Sequence, residues 1–278
     1  MPVPRIGQLV RSMVPPHARA YLRRSAVVRG ALRLAYGGVR SKPYPHGPFT
    51  FWFDGGRDVG WAIADLAAAE AAEIGYVRRL LAAEPARCVW DVGANVGFWT
   101  LFFAGLQPPV VRTVAFEPDA TNLRLLRMNL ERNRLTDVVA VRDCALSDAA
   151  GEATFYADDV SGATGSLESG HAFVTKLFGQ KTRPVAVPVS TIDAEVARLA
   201  APPNFVKIDV EGHEAAVLRG AADTLDRYRP RLIVEVQPGN EEQVAEIFRA
   251  HRYRMFSPST GAELARPAWN TVALPAGG

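Results

Sequence analysis

The pattern of apolar and polar positions changes character near residue 87. Before it, residues 17–35 read as one or two basic helices, ended by Gly37-Gly38 and the Pro43, Pro45 and Pro48 cluster. Phe49–Phe53 is aromatic and β-prone and stops at Asp54-Gly55-Gly56, which predicts a strand or the first arm of a hairpin. Asp65–Leu81 is rich in Ala, Glu and Leu and predicts a helix. From residue 87 strands and helices alternate. Strands are predicted at Arg87–Asp91, Val110–Phe116, Val138–Arg142, Asn204–Val210 and Arg231–Val236. Helices are predicted at Phe98–Ala104, Asp119–Arg134 (opened by an Asp cap), His213–Tyr228 and Glu241–His251. This rhythm is that of an α/β domain with a mainly parallel sheet and helices on both faces. Tyr253–Phe256 and Thr271–Leu274 have no helix between them and suggest an antiparallel edge. Gly151–Pro184 breaks the rhythm with five glycines among Ser, Thr and Asp; it reads as an active-site cover, or as a β-hairpin with an excursion.

Composition narrows the class. The 278 residues, 48% apolar and 22% charged, are those of a globular chain. The longest apolar candidate, Leu101–Phe116, is broken by Pro108-Pro109 and Arg112, short of the roughly 18 residues a membrane span requires. Cys88 and Cys144 form no CxxC or Cys/His cluster, which fits a reducing cytoplasm. Net charge is +3, but residues 1–53 hold nine basic groups and no acid, leaving 23 basic and 29 acidic groups, a net of −6, on the rest. The chain divides on this basis into a basic helical extension, 1–53, and a body, 54–278. The extension suits peripheral contact with anionic lipid at the inner membrane face, or docking on the acidic body.

The densest chemical signal is Asp91-Val-Gly93-Ala94-Asn95-Val-Gly97-Phe98, at the first strand-to-helix junction. Glycines there let a backbone approach a ligand. A dinucleotide fingerprint needs a small residue where Phe98 stands, and no Gly-Lys-Ser/Thr follows for a phosphate loop. An acid two residues before the glycine suits a ligand carrying positive charge, such as S-adenosylmethionine. Glu117 ends the next strand, where an acid can accept ribose hydroxyls, and Asp143 ends the third, within reach of an adenine amino group. The fourth strand carries Lys207-Ile-Asp209-Val-Glu211-Gly212-His213-Glu214, whose charges on one strand face are costly unless used. His213 at a helix start is a candidate base, with Asp209 and Glu211 beside it. Lys207 alternatively pairs with an acid, and Glu235 ends the fifth strand at the same edge.

Taken with Phe116-Glu117-Pro118, Ala145-Leu-Ser-Asp148 and Leu218-Arg-Gly220, these motifs resemble the FkbM-type methyltransferases over about residues 90–237, with a weaker echo at Asn270–Pro275. The resemblance implies a class I, Rossmann-like methyltransferase fold: a seven-stranded sheet with helices on both faces and an antiparallel last strand. It implies S-adenosylmethionine-dependent O-methylation of a hydroxyl on a sugar, polyketide or related small molecule or glycan. By it, Asp91, Gly93, Ala94, Asn95 and Gly97 cradle the methionine part, Glu117 takes the ribose, and Asp143 with Cys144 borders the adenine. The base is not set by the family motif, so His213, Asp209 and Glu211 stand as chemical candidates. Asp209, Glu211 and Glu235 could alternatively hold a Mg²⁺ that acidifies the acceptor hydroxyl. The alternatives are a nicotinamide-dependent oxidoreductase on a Rossmann sheet and a non-catalytic scaffold. No Asn/Asp-Pro-Pro-Tyr/Phe segment is present, which disfavours nitrogen acceptors; nucleic acid is not the expected partner, while the basic arm keeps a macromolecular acceptor open. Oligomeric state is not encoded legibly.

Overall fold

The computed structural model describes residues 30, 34, 37–57, 61, 64–107, 109–158, 162, 164–168 and 182–277. The basic helices predicted over 17–35 lie outside these, apart from Gly30 and Leu34. The described chain opens with a hairpin, β1 (Val39–Pro43) and β2 (Thr50–Asp54), followed by helix α1 (Ala71–Ala83). Then come β3 (Cys88–Val92), α2 (Phe98–Ala104), β4 (Arg112–Phe116), α3 (Ala120–Arg132) and β5 (Val139–Arg142). Next are β6 (Ala145–Leu146), β7 (Gly151–Ala157), β8 (Arg183–Ser190), α4 (Ile192–Leu199) and β9 (Phe205–Ile208). The chain closes with α5 (Glu214–Arg219), α6 (Ala222–Arg227), β10 (Arg231–Glu235), α7 (Glu241–Ala250), β11 (Tyr253–Phe256), β12 (Glu263–Leu264) and β13 (Asn270–Pro275).

The main sheet runs β12-β11-β13-β10-β9-β3-β4-β5. β3, β4, β5, β9 and β10 pair in parallel, and β13 inserts antiparallel between β10 and β11. The antiparallel last strand is as expected, but the sheet has eight strands, not seven. A turn at Gly261 (φ 73°) folds the chain back and adds the two-residue β12 to the β11 edge. Because β4 and β5 wind to one side of β3 while β9 and β10 wind to the other, the switch point lies between β3 and β9, where open α/β sheets bind ligands.

Alternate strand residues serve opposite faces. Val89, Phe205 and Ile233 join a core built with α1, α2, α3 and the hairpin residues Phe51 and Phe53. Trp90, Val206 and Leu232 join the other core, built with α4, α5, α6 and α7. The predicted strand at Phe49–Phe53 is the second arm of a hairpin and not the first, because Val39–Pro43 precedes and pairs with it, and its Phe51 ring packs on Trp61 and Phe98. The helix predicted over His213–Tyr228 is instead two, α5 and α6, broken at Gly220. A side-chain carbon at Gly220 would come within 2.0 Å of the Ser147 carbonyl oxygen, so the chain turns against the β6–β7 connection there. The glycine-rich interval forms a hairpin, β7 with β8, with β6 beside β8. No helix among the described residues is long and apolar enough to cross a membrane.

Candidate functional site

The β3–α2 turn is shaped by close approach. Gly93 has φ 78°, and a side-chain carbon there would fall 1.8 Å from the Asp209 carbonyl oxygen. Only glycine lets the β3 and β9 ends meet. Gly93 and Ala94 both donate backbone N–H bonds to the Phe116 oxygen, at 3.0 and 2.9 Å, tying the turn to β4. Asn95 takes a left-handed conformation (φ 52°), which an Asn tolerates, and Gly97 (φ 96°) starts α2 against Leu126.

Glu117 is the hub of the turn. Its Oε2 accepts from the Asn95 backbone N–H at 2.8 Å, and its Oε1 accepts from the Asp119 N–H at 2.8 Å and the Asn122 amide at 3.4 Å. Asp119 caps α3 as predicted, accepting from Thr121 and Asn122 N–H. Burial pushes the Glu117 carboxyl up to about 7, against the pull of these donors.

Asp91 is wholly buried beneath the turn and is not part of the cleft wall. Its Oδ2 accepts from Thr100 Oγ1 at 2.6 Å. Sheet register sets Asp91 opposite Lys207, whose Nζ is 3.7 Å from Asp91 Oδ1 and 3.0 Å from Asp209 Oδ2. Burial lowers the Lys207 pKa, but the Asp209, Asp91 and Glu70 carboxylates outweigh it and hold the ammonium charged. The pairing reading of Lys207 is therefore the one the structure displays.

An open cleft of about 600 Å³ lies over the switch point. Gly93, Asn95, Glu117, Cys144, Asp209, Glu211 and His213 all line it, which brings together seven of the eleven predicted site residues. Ala94 and Gly97 shape the turn behind the wall. Asp143 stands apart: its side chain is 65% exposed and pairs with Arg127 at 3.7 Å, so the third strand presents Cys144 to the cleft instead. The glycine-rich interval contributes Phe155, Gly165 and Leu167 to the wall, and the Asn95 amide donates to the Gly162 oxygen at 2.9 Å.

His213 precedes α5, with Nδ1 2.7 Å from Glu168 Oε1 and Nε2 2.8 Å from Ser147 Oγ. Sequence reasoning missed Glu168 and Ser147 as its partners, along with Glu70, Asn122 and Gln237. Glu70 holds a left-handed backbone (φ 52°) and accepts a hydrogen bond from the Trp99 indole, which starts α1 six residues later than the predicted helix. Only the Asp-x-x-Asn spacing at 119–122 carried a readable signal for Asn122.

Asp209, Glu211 and Glu235 offer oxygens within 4.8 Å of one another. Burial, then the Asp209 and Glu211 charges, raises the Glu235 carboxyl well above the usual range. The donor type suits Mg²⁺. Yet Lys207 already holds Asp209, and the Gln237 amide donates to Glu211 at 3.0 Å and Glu235 at 3.2 Å. Protein donors therefore already compensate part of the cluster's charge, and nothing beyond the three carboxylates points to a metal there among the described residues.

Residues 91–260 match the family described as the methyltransferase FkbM domain. The 31-O-demethyl-FK506 methyltransferase FkbM of Streptomyces tacrolimicus is 34% identical over 205 residues, covering 64% of this chain and 76% of that protein. The hexuronic acid methyltransferase AglP of Haloferax volcanii is 32% identical over 180 residues, covering 64% and 66%. Among solved structures, the methyltransferase FkbM from Methylobacillus flagellatus KT aligns with a TM-score of 0.47 at 20% identity, over 67% of this chain and 42% of that one.

Proposed function

The chain belongs to the FkbM methyltransferase family, and on that premise we propose that it is an S-adenosylmethionine-dependent O-methyltransferase acting on a hydroxyl of a small molecule or glycan. The observation that carries this reading is that the glycine turn, Glu117, Asp209 and His213 line one cleft. Two relatives are named for 31-O-demethyl-FK506 and for a hexuronic acid, which supports a hydroxyl-bearing acceptor. Methyl transfer also takes precedence over the nicotinamide reading, which Phe98 in the turn already disfavoured.

When bound, S-adenosylmethionine supplies a methyl group on a positively charged sulfur. The residues present fit it: Gly93 of the turn and the buried Glu117 carboxylate line one cleft, and Glu117 Oε2, which accepts one bond from the Asn95 N–H, keeps a lone-pair position for a ribose hydroxyl. The Asp209 and Glu211 carboxylates in the wall favour positive charge in the cleft. The protein's main task is to align the acceptor oxygen and remove its proton. His213 takes that proton at a ring nitrogen, while Asp209, held by Lys207, orients the hydroxyl from the β9 end.

Calorimetric titration with S-adenosylmethionine and, separately, with NADH tests the reaction class. Binding of the first alone is expected; binding of NADH alone refutes the proposal. With sugar and polyketide alcohols screened as acceptors, His213→Ala should keep cofactor affinity and lower release of S-adenosylhomocysteine at least tenfold, within the range general-base catalysis supplies. An unchanged rate removes His213 as the base.

A further inference from the structure

We propose that Glu168 is the positioning residue for His213: it holds the ring in the tautomer that carries its proton on Nδ1 and leaves Nε2 as the proton-accepting atom. The proposal deepens the methyltransferase reading and rests on His213 being its base.

Glu168 Oε1 is 2.7 Å from His213 Nδ1. An ionised carboxylate only accepts hydrogen bonds, so Nδ1 must be the donor, and in a neutral imidazole the other nitrogen is then the acceptor. The Ser147 hydroxyl lies 2.8 Å from Nε2, and in this tautomer its single proton is the one shared along that contact. Ser147 also has a second acceptor, Asp148 Oδ1 at 3.2 Å. When an acceptor alcohol takes its place at Nε2, the serine proton turns to Asp148 and no buried group is left unpaired. The alcohol's proton then passes to Nε2 as its oxygen forms the new bond to carbon and the carbon–sulfur bond of the sulfonium breaks.

Glu168 is anchored for this task although half its side chain surface is open to solvent. Its backbone N–H donates to Ser166 Oγ at 3.0 Å. Ser166 is itself buried and exchanges backbone bonds with Tyr156 of β7, at 2.8 and 3.3 Å. Gly165 packs so tightly under the Phe155 ring that a side-chain carbon there would lie 2.5 Å from it. The glycine-rich interval thus delivers a carboxylate to His213, the one histidine in the cleft wall among the described residues, 45 residues away in sequence. Free imidazole favours the opposite tautomer, with the proton on Nε2, so a carboxylate at Nδ1 has a definite effect to exert.

The test needs neither the acceptor nor turnover. Full-length protein labelled with ¹⁵N is examined by long-range ¹H–¹⁵N spectra of the histidine rings at a pH where they are neutral, with His213→Gln used to assign the signal. Wild type should show a protonated, pyrrole-type Nδ1 and a pyridine-type Nε2 at His213. Glu168→Ala should exchange the two assignments. Glu168→Gln, whose amide oxygen still accepts from Nδ1–H, should restore the wild-type pattern. S-adenosylhomocysteine affinity, measured on the same samples, should stay within twofold in both variants. A proton on Nε2 in wild type, or a tautomer that Glu168→Ala leaves unchanged in a protein that still binds S-adenosylhomocysteine, overturns the proposal. Failure of every sample, wild type included, to bind S-adenosylhomocysteine overturns the methyltransferase reading instead, while the tautomer result still decides the role of Glu168.

Discussion

Glu117→Gln isolates the charge at the hub of the cofactor cleft. A carboxylate offers about four lone-pair positions. Asn95 N–H takes one on Oε2, while Asp119 N–H and the longer Asn122 contact take two on Oε1. One position on Oε2 is left for a ribose hydroxyl, and a second hydroxyl can enter only where the 3.4 Å Asn122 contact yields. The variant therefore loses one strong charge-assisted hydrogen bond, worth about 1.5–3 kcal/mol, and S-adenosylhomocysteine affinity should fall roughly 10- to 150-fold. The pH dependence gives an independent check. Burial holds the Glu117 carboxyl up to about 7 in the free protein, and only its ionised form accepts both hydroxyl and backbone donors. Affinity should weaken about tenfold from pH 8 to pH 6 in wild type, following the ionised fraction, and stay level in the variant. For folding the sign is opposite: a carboxyl raised above its unfolded value favours the native state at acid pH, and that contribution fades as pH rises through about 7. Calorimetry with S-adenosylhomocysteine at pH 6, 7 and 8 measures both effects. An affinity within threefold of wild type at pH 8, or parallel pH profiles, refutes the ribose role.

Three further outcomes follow from other parts of the molecule. Lys207→Met leaves Asp91, fully buried, without its cation and should cost about 3–5 kcal/mol in urea unfolding, with Asp91→Asn recovering part of it; a loss below about 1 kcal/mol contradicts the pairing. Phe51→Ala, at a fully buried ring packed on Phe53, Trp61 and Phe98, should cost about 3–5 kcal/mol; a near-neutral result would mean that the hairpin is a detachable part of the extension. Exhaustive EDTA treatment should leave methyl transfer unchanged, because Lys207 and Gln237 already serve the Asp209, Glu211 and Glu235 cluster; restoration of lost activity by Mg²⁺ would reverse that assignment.

Much of the site was legible because the cofactor-side groups act close to where they stand in sequence. The Gly93 turn, Glu117 two residues before its own helix cap, and Asp209 at the end of β9 are local features of strand-to-helix junctions. Their types and spacing follow from backbone geometry that any parallel strand must satisfy. Asp143 and Cys144 were not separable from the sequence, because a strand end fixes a residue's height in the sheet but not which neighbour lines the cleft; here Cys144 does.

The sequence by itself determined the five parallel strands and their order along the chain, the helices that follow β3, β4 and β10, the glycine turn and the family, since periodicity, caps and motifs are written in consecutive residues. Tertiary structure alone decided the partners. Asp91 became a buried counter-ion because parallel register set it beside Lys207, 116 positions later in the chain. The long helix after His213 broke at Gly220 because the Ser147 carbonyl occupies the path. His213 acquired Glu168 and Ser147 from segments 45 and 66 residues away. Contacts of that range depend on how loops close and sheets align, and no local pattern of apolar and polar residues encodes them.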